Sequence, residues 1–393
     1  MRQLSEEEFQ RVLVIKRDLH MHPELSGREV RTTERIREEL RKIPGVELLE
    51  LPVETGVAAR ISGAPSPETG RPAGPEIMLR ADIDALPQTE EYESPWKSRT
   101  EGVMHACGHD FHTASLIGAA MILSDAAASG EWTGTADLVF QPYEEGTHGA
   151  RLMIDAGLFD RIHPKYCFGI HNWPSVPAGK IVCREGALMS GKRNFEVVIH
   201  GYGGHGSMPH LNIDPIVCAA ACIQSLQTVI SRNTNPLDSS VLSVNMIEGG
   251  SPQNLVVDQV RMRATIRSLS EAALDRSLER IESIIRRTAE AYECTVEIRY
   301  EERIPSVWNT PEMTGIAKKC AASVGDLYDA PPSLASEDFA LYRTHVPSFF
   351  YWVGSGTEGE KTEELHRPRF HTDDGAMRTA AALYAASAMQ SAN

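Results

Sequence analysis

Between Met104 and Thr113 the chain carries three His, one Cys and one Asp in ten residues. An apolar run with helical spacing follows, so we expect a helix to begin near Phe111, capped by Asp110. Cys107 and His109 would then lie at the positive end of that helix, which favours the thiolate form of Cys that binds metal. This density of ligand-type side chains indicates a metal site better than it indicates a packed core.

A pair of divalent cations needs several converging ligands, one bridging group and a base that activates water. The sequence offers five ligand positions far apart in the chain, namely Cys107, His109, Glu145, His171 and a late His that is either His366 or His371. Glu144 directly precedes Glu145, and neighbouring side chains diverge. One glutamate can therefore bind metal while the other takes a proton from water.

Short apolar runs are expected to position these ligands. Strands are predicted at 77–79, 136–140 and 167–170, and each is followed by Asp, Glu or His. Amphipathic helices are predicted at 6–19 and 29–42. Because strands and helices alternate, we expect an α/β fold with a doubly wound, mostly parallel sheet, whose carboxyl edge holds the chemistry.

The middle of the chain has a different pattern. Its predicted elements follow the order βαββαβ: strand 195–200, helix 213–230, strands 240–247 and 260–266, helix 271–291 and strand 295–300. That order is typical of a ferredoxin-like α+β domain. We therefore predict an inserted lid or dimerisation domain over 188–303, and a catalytic metal-binding domain over 1–187 and 304–393.

Composition excludes several classes of protein. The formal net charge of −15 argues against a nucleic-acid partner, since phosphate binding needs clustered Lys and Arg. The seven cysteines are scattered, which indicates reduced thiols in a reducing compartment. We find no run that matches a membrane span and no signal-peptide pattern in the first ten residues. The expected location is the cytoplasm, with no membrane partner.

Six sequence blocks carry a close resemblance to a known family. They are His20-Met21-His22-Pro23-Glu24-Leu25-Ser26, Arg80-Ala81-Asp82-Ile83-Asp84-Ala85-Leu86-Pro87, His105-Ala106-Cys107-Gly108-His109-Asp110, Gln141-Pro142-Tyr143-Glu144-Glu145-Gly146, Gly203-Gly204-His205-Gly206-Ser207-Met208-Pro209-His210 and Ser336-Glu337-Asp338-Phe339. In this order they resemble the metal-dependent N-acyl amino acid amidohydrolases, the aminoacylase, hippurate hydrolase and auxin-conjugate hydrolase branch of the co-catalytic metallopeptidases.

The resemblance implies two divalent metal ions, zinc or manganese with cobalt possible. It makes Cys107 the ligand shared by both ions and Glu144 the general base. The remaining ligands would be His109, Glu145, His171 and a C-terminal His. We choose His366 for the last, because His366-Arg367-Pro368-Arg369-Phe370 fits the family pattern and His371 does not. Asp84 is expected to support a ligand ring, and His20 and His22 are interpreted as structural.

The resemblance also assigns roles in the inserted domain. His205 would hydrogen-bond the carbonyl oxygen as charge develops there, in its own or a partner subunit. Asn254 and Arg267 match positions that bind the substrate's α-carboxylate, although an exposed strand Arg is the competing interpretation of Arg267. A homodimer or dimer-based oligomer is implied. Phe111, Tyr143 and His148 depart from the family pattern and put substrate identity in doubt.

The resulting hypothesis is a hydrolase that cleaves the amide bond of N-acyl or N-aroyl amino acids into a carboxylic acid and a free amino acid. A carboxypeptidase or dipeptidase acting on short peptides is the alternative within the same chemistry. Two others are a Cys107-dependent amidase with His109 or His205 as base, and a non-catalytic binder of amino acid conjugates.

Overall fold

The computed structural model describes residues 1–65, 70, 72–146, 148–357 and 363–391, and these residues form two compact units. The large unit comprises Met1–Gly186, Trp308–Pro331 and Asp338–Asn393. The small unit comprises Ala187–Val307 and Pro332–Glu337.

The large unit alternates helices and strands. Its helices are α1 (Glu6–Met21), α2 (Val30–Leu40), α3 (His109–Ser129), α4 (Gly149–Asp155), α5 (Leu158–Arg161), α8 (Pro311–Ala322) and α9 (Ala376–Gln390), with a 3-10 helix at Asp338–Thr344. Its strands are β1 (Val46–Leu49), β2 (Val57–Ser62), β3 (Glu76–Asp82), β4 (Thr135–Gln141), β5 (Tyr166–Pro177), β6 (Ile181–Val182) and β15 (Ser348–Gly356). Strands β7 (Gly186–Met189) and β14 (Val307–Asn309) lie at the unit boundaries.

Seven strands of the large unit form one sheet in the order β1-β2-β4-β3-β5-β15-β6. The four central strands β4, β3, β5 and β15 run parallel to one another, whereas the outer pairings are antiparallel. The predicted α/β fold with a mostly parallel sheet is therefore confirmed. Strand β5 is longer than predicted, because it stays paired with β15 past His171, where Trp173 lies opposite Gly354.

The core of the large unit lies between the sheet and its helices. All nine residues of β15 are buried, as expected for a central parallel strand covered on both faces. Helices α3 and α9 pack against each other and on β3. Helix α3 has the length and apolar character of a membrane span, which the sequence analysis did not anticipate, but 83% of its apolar window is buried inside the protein.

The start of α3 differs from the prediction. The helix begins at His109 after Gly108, and Asp110 does not cap it. The Asp110 carboxylate instead accepts a hydrogen bond from His20 Nδ1 at 2.9 Å, so the predicted capping role is wrong. Burial alone would lower the pKa of His20, but Asp110 and Glu90 outweigh it and raise the pKa to about 9. A charged His20 thus ties α1 to α3, in accord with the structural role expected of it.

The small unit has the predicted βαββαβ order with two short strands added. Its elements are β8 (Gly191–His200), β9 (Gly204–His205), a 3-10 helix at Pro209–Leu211, α6 (Pro215–Asn233), β10 (Ser240–Glu248), β11 (Leu255–Val256), β12 (Gln259–Ser268), α7 (Glu271–Ala291) and β13 (Thr295–Tyr300). The sheet order is β10-β12-β8-β13, antiparallel throughout. Both helices contribute to one core with the inner face of this sheet.

Apart from Ala187, which belongs to the small unit, the unit boundaries differ from the predicted domain limits at two places. Residues 304–307 belong to the small unit, because Ile304 and Lys192 exchange backbone hydrogen bonds. Residues 332–337 belong there too, since Ser190 N donates to Ala335 O at 2.8 Å and the Arg267 guanidinium donates to Leu334 O at 3.1 Å. These contacts join segments that are distant in sequence, and the local sequence pattern does not predict such contacts.

Candidate metal centre

Three adjacent parallel strands bring the candidate ligands together. Strand β3 ends at Asp82, β4 is followed by the turn that carries Glu144 and Glu145, and β5 carries His171. Parallel strands present their carboxyl ends at one edge of a sheet, so these side chains converge. Cys107, in the loop that connects β3 to α3, and His109, the first residue of α3, lie at the same edge.

The donor atoms form several overlapping groups, and two of these groups share Cys107. Those of Cys107, His109 and His171 lie within 4.8 Å of one another, and so do those of Cys107, Glu145 and His366. Cys107 belongs to both groups, which is the arrangement that a ligand shared by two cations requires. Its Sγ lies 3.4 Å from His171 Nε2, and Glu145 Oε1 lies 3.2 Å from His366 Nε2.

The ring orientation of two histidines directs Nε2 toward the other donor atoms. His109 Nδ1 donates to Asp84 Oδ1 at 3.0 Å, and His171 Nδ1 donates to the Asn172 carbonyl at 2.6 Å. Because Nδ1 is the donor in each ring, Nε2 is the nitrogen that could bind a cation once it carries no proton. His109 Nε2 is buried and has no hydrogen-bond partner among the described residues. An orphaned buried nitrogen of this kind fits a metal ligand.

The charge around Cys107 also fits a cation. Burial, together with the carboxylates of Glu145 and Glu144, raises the pKa of the Cys107 thiol well above its usual range. Without a cation, burial and the two carboxylates therefore outweigh the effect of the helix end, and Cys107 is a thiol where the sequence predicted a thiolate. A divalent ion would reverse this balance, since coordination deprotonates a thiol outright.

The pKa values of His109 and His171 are shifted in opposite directions by these surroundings. Burial alone would lower the pKa of His109, but Asp82, Asp84 and Glu145 outweigh it and raise the pKa to about 10. Burial lowers the pKa of His171 well below its usual range, so this ring is neutral. Without metal, a proton on His109 supplies the positive charge that the carboxylates attract.

His112 is a site residue that the sequence analysis missed. Its Nδ1 donates to Asp82 Oδ1 at 2.5 Å, and its Nε2 accepts from Asn172 N at 2.8 Å. Both ring nitrogens are thus engaged, so His112 connects β3 to β5 beside the candidate ligands, and its donor atoms also lie within 4.8 Å of those of Asp82 and His109. Its position three residues after His109, on the same face of a helix, is a sequence signal that could have identified it.

A fully buried arginine lies beneath the site. The Arg80 guanidinium forms ion pairs with Asp82 at 2.7 Å and with Asp338 at 3.0 Å. Asp338 also accepts hydrogen bonds from Gln141 Nε2 at 2.7 Å and from Ala150 N at 2.9 Å. This network joins β3, β4 and α4 behind the ligands, and it involves three of the six sequence blocks.

The late histidines occupy different places. His366 has a positive φ of 61° and reaches Glu145, as its choice over His371 requires. His371 stacks on Tyr92 with ring centroids 4.1 Å apart, and it lines a cavity with His20 and His105. This cavity is separate from the two donor groups.

The three residues assigned to the substrate all lie in the small unit. His205 and Asn254 are brought together, because β9 pairs with β11 and Gly206 N donates to Asn254 O at 2.9 Å. His205 is exposed, and its Nδ1 accepts from Ser207 N at 3.1 Å, which leaves the proton on Nε2. Arg267 is half-buried on β12, unlike the exposed strand Arg of the competing interpretation.

Comparison with known proteins identifies relatives over almost the full length. A family model described as "Peptidase family M20/M25/M40" matches residues 78–390. The chain is 41% identical to N-acetylcysteine deacetylase of Bacillus subtilis over 377 residues, 95% of each chain. It is 34% identical to thermostable carboxypeptidase 1 of Saccharolobus solfataricus, over 97% of this chain and 95% of the relative. The crystal structure of a dinuclear metal binding peptidase from Bacillus subtilis matches with a TM-score of 0.82, 37% identity and 98% coverage of both chains.

Gly108 provides a test of how the site is held. Its φ is +88°, and an added Cβ would lie 2.2 Å from Asn172 Nδ2, the group that donates to Cys107 O at 2.6 Å. Gly108→Ala should therefore displace Asn172 and lower the metal content measured by plasma mass spectrometry. The matched control is Gly130→Ala, where φ is +77° and no atom lies within 4 Å of the added Cβ.

Both variants place an alanine at a positive φ, so the conformational strain of the backbone is similar in the two. The difference in stability between them therefore measures the steric clash with Asn172. We expect Gly108→Ala to lower the free energy of unfolding by about 1–3 kcal/mol more than Gly130→Ala in denaturant titrations. Equal losses of stability and of metal in the two variants would show that the contact between Gly108 and Asn172 does not hold the site.

Proposed function

Because the chain belongs to peptidase family M20/M25/M40, we propose that it is a metal-dependent hydrolase of N-acyl or N-aroyl amino acids. The products would be a carboxylic acid and a free amino acid. The observation that carries the proposal is the pair of donor groups that share Cys107, with Glu144 beside the ligand Glu145. The similarity to a deacetylase of an N-acetylated amino acid supports the same substrate class.

The proposed ligands are Cys107, His109, Glu145, His171 and His366, and the proposed base is Glu144. Two divalent cations held there, zinc or manganese with cobalt possible, would act as Lewis acids toward water and the amide carbonyl. Asp84 keeps the His109 ring oriented, since its carboxylate accepts the Nδ1 proton. The buried Glu144 carboxylate takes a proton from the attacking water and returns it to the leaving amine.

Residues of the small unit are proposed to act on the substrate. The protonated Nε2 of His205 is a donor for the oxygen on which negative charge develops, in its own or a partner active site. Arg267 and Asn254 are proposed to bind the α-carboxylate, because a guanidinium matches a planar carboxylate with two parallel hydrogen bonds.

Two alternatives are separated by specific observations. A carboxypeptidase activity is the second candidate, favoured by the 34% identity to a thermostable carboxypeptidase. A Cys107 nucleophile is disfavoured, because Cys107 Sγ belongs to two groups of converging donor atoms, and because burial and the neighbouring carboxylates raise the pKa of this thiol when no cation is bound. Chelator should therefore abolish hydrolysis, and a thiol-dependent amidase would keep its activity after chelation.

Substitution of each of the adjacent residues Glu144 and Glu145 tests the proposed base and ligand roles directly. Glu144→Gln should retain two bound ions and lose turnover by about 10²- to 10⁴-fold, the usual contribution of a general base. Glu145→Gln should lose bound metal instead. The assay compares hydrolysis of N-acetyl and N-benzoyl amino acids with hydrolysis of short peptides at their C-terminal bond, each with added Zn²⁺, Mn²⁺ or Co²⁺. Metal content is measured on the same preparations.

The outcome of that assay also decides between the candidates. Cleavage of peptides in preference to N-acyl amino acids would select the carboxypeptidase. A Glu144→Gln enzyme with more than a tenth of normal turnover would remove Glu144 from the base role. Exposed Glu131→Gln is the control and should match the unaltered protein.

We further propose a homodimer formed through the small unit. Strand β10 is an edge strand, and Ile247 on it is 53% exposed. Other large apolar side chains of this unit are exposed as well, namely Tyr202, Leu211, Val217 and Leu255. Apolar exposure and an open strand edge together are typical of an association surface. A cytoplasmic location is proposed with it, since all seven cysteines are unpaired and buried.

Light scattering tests the dimer. The unaltered protein should have twice the mass of one chain, and Ile247→Lys should shift it toward one chain at the same concentration. The control Val14→Lys places the same charge at a site of the large unit that is 60% exposed, and it should stay dimeric. A monomeric unaltered protein, or equal behaviour of both variants, contradicts the proposal.

A further inference from the structure

We propose that Ser26 and Glu29, in the loop between α1 and α2, are positioning residues for the turn that carries Glu144 and Glu145. The inference deepens the proposed function and rests on it, because it concerns the same metal centre. Neither residue touches the candidate donor atoms directly. Each acts through one intermediate group, and together they fix the turn on both sides of Glu144.

Ser26 acts through Asp84. Its Oγ donates to Asp84 Oδ2 at 2.7 Å, and the same oxygen accepts from Glu145 N at 3.0 Å. The other oxygen, Oδ1, accepts from His109 Nδ1 at 3.0 Å. One carboxylate thus orients a ligand ring with one oxygen and a ligand backbone with the other. The Ser26 hydroxyl fixes the rotation of that carboxylate, so both bonds persist at once.

Glu29 acts on the backbone of Tyr143. Its side chain is fully buried, and Oε1 accepts from Tyr143 N and from Gly27 N, both at 2.9 Å. Tyr143 has a φ of +60°, a conformation that costs a bulky residue about 1–3 kcal/mol and persists only when its surroundings impose it. The hydrogen bond from Tyr143 N to Glu29 is such a constraint.

Packing reinforces the same turn. A Cβ added at Gly146 would lie 1.8 Å from Tyr143 Cε2, so the Tyr143 ring lies directly over the end of the turn. An added Cβ at Gly27 would lie 3.6 Å from the other edge of this ring. The loop that carries Glu29 therefore contacts the turn through both a hydrogen bond and the aromatic ring.

The two anchors flank the proposed base. Tyr143 N is held by Glu29 and Glu145 N is held by Asp84, so the residue between them, Glu144, has tethered amides on either side. Releasing either tether frees the backbone that aims the base and the ligand. Loss of a hydrogen bond that orients a metal ligand typically lowers metal affinity or activity by about 10- to 100-fold.

The anchoring loop has bonds of its own. Ala85 N donates to Glu24 O at 2.8 Å, and the Glu24 carboxylate accepts from Arg31 N at 3.1 Å and Thr32 N at 2.7 Å at the start of α2. These contacts do not involve Ser26 or Glu29. Removing either side chain should therefore leave the loop folded, and the effect on the metal centre can be measured.

The experiment compares alanine variants with conservative ones. Ser26→Ala and Glu29→Ala remove the hydroxyl and the carboxylate, whereas Ser26→Thr and Glu29→Gln keep a donor and an acceptor. Two controls remove equivalent groups elsewhere. Ser124→Ala deletes a hydroxyl that donates to Pro44 O at 2.7 Å, and Glu39→Ala deletes a buried carboxylate paired with Arg11 at 2.9 Å.

The readouts are Zn²⁺ and Co²⁺ affinity by competition with a chelator, and kcat and KM on the best substrate. We expect both alanine variants to weaken cation binding and to lower kcat about 10- to 100-fold, with KM changed less than about threefold. Ser26→Thr and Glu29→Gln should restore most of the loss. The Ser124→Ala and Glu39→Ala controls should lower only the unfolding temperature.

Unchanged affinity and kcat in the alanine variants would overturn the proposal. Equal losses in the controls would overturn it as well, because the effect would then follow general stability. If the unaltered protein binds two ions and cleaves none of the substrates, the proposed function fails. The affinity comparison still decides the role of Ser26 and Glu29 in that case.

Discussion

A concentration of buried negative charge at one edge of the sheet determines the rest of the structure. The carboxylates of Asp82, Asp84 and Glu144 are all buried there, with Glu145 mostly enclosed. Such charges persist inside a protein only when they are paired or bind metal. Arg80 neutralises the side away from the ligands, and the ligand side is left for a proton on His109 or for cations.

The scaffold keeps these groups from separating. Parallel strands place their carboxyl ends at one edge, and the buried Arg80 network locks β3 against β4 through Asp338 and Gln141. His112 and Asn172 then connect Asp82 to β5 and to the backbone of Cys107. The candidate ligands are therefore held by neighbours that are themselves hydrogen-bonded, which is what a preorganised site requires.

Much of this could be predicted from the sequence, and the limits are physical. The mostly parallel sheet follows from local pattern and is confirmed, with β3 ending at Asp82 as expected. The βαββαβ order of elements is present in the small unit, and the interpretation of this unit as an inserted lid or dimerisation domain stays a prediction. The start of α3 was predicted to within two residues, but the capping role of Asp110 was wrong, because this carboxylate pairs with His20, ninety residues earlier in the chain. Ser26 and Glu29 were missed for the same reason, since Asp84 and Tyr143, which they contact, belong to other elements. His112 could have been identified from its spacing to His109. The roles of the five ligand residues, of the base and of the small-unit residues stay predictions.

The most direct measurement is anomalous diffraction from crystals grown with Zn²⁺, collected on both sides of the zinc absorption edge. The account predicts two peaks, one among Cys107, His109 and His171 and one among Cys107, Glu145 and His366, with the Cys107 sulfur bonded to both ions. A single peak that is not bonded to Cys107, or two peaks that leave His109 Nε2 without a ligand bond, would contradict it.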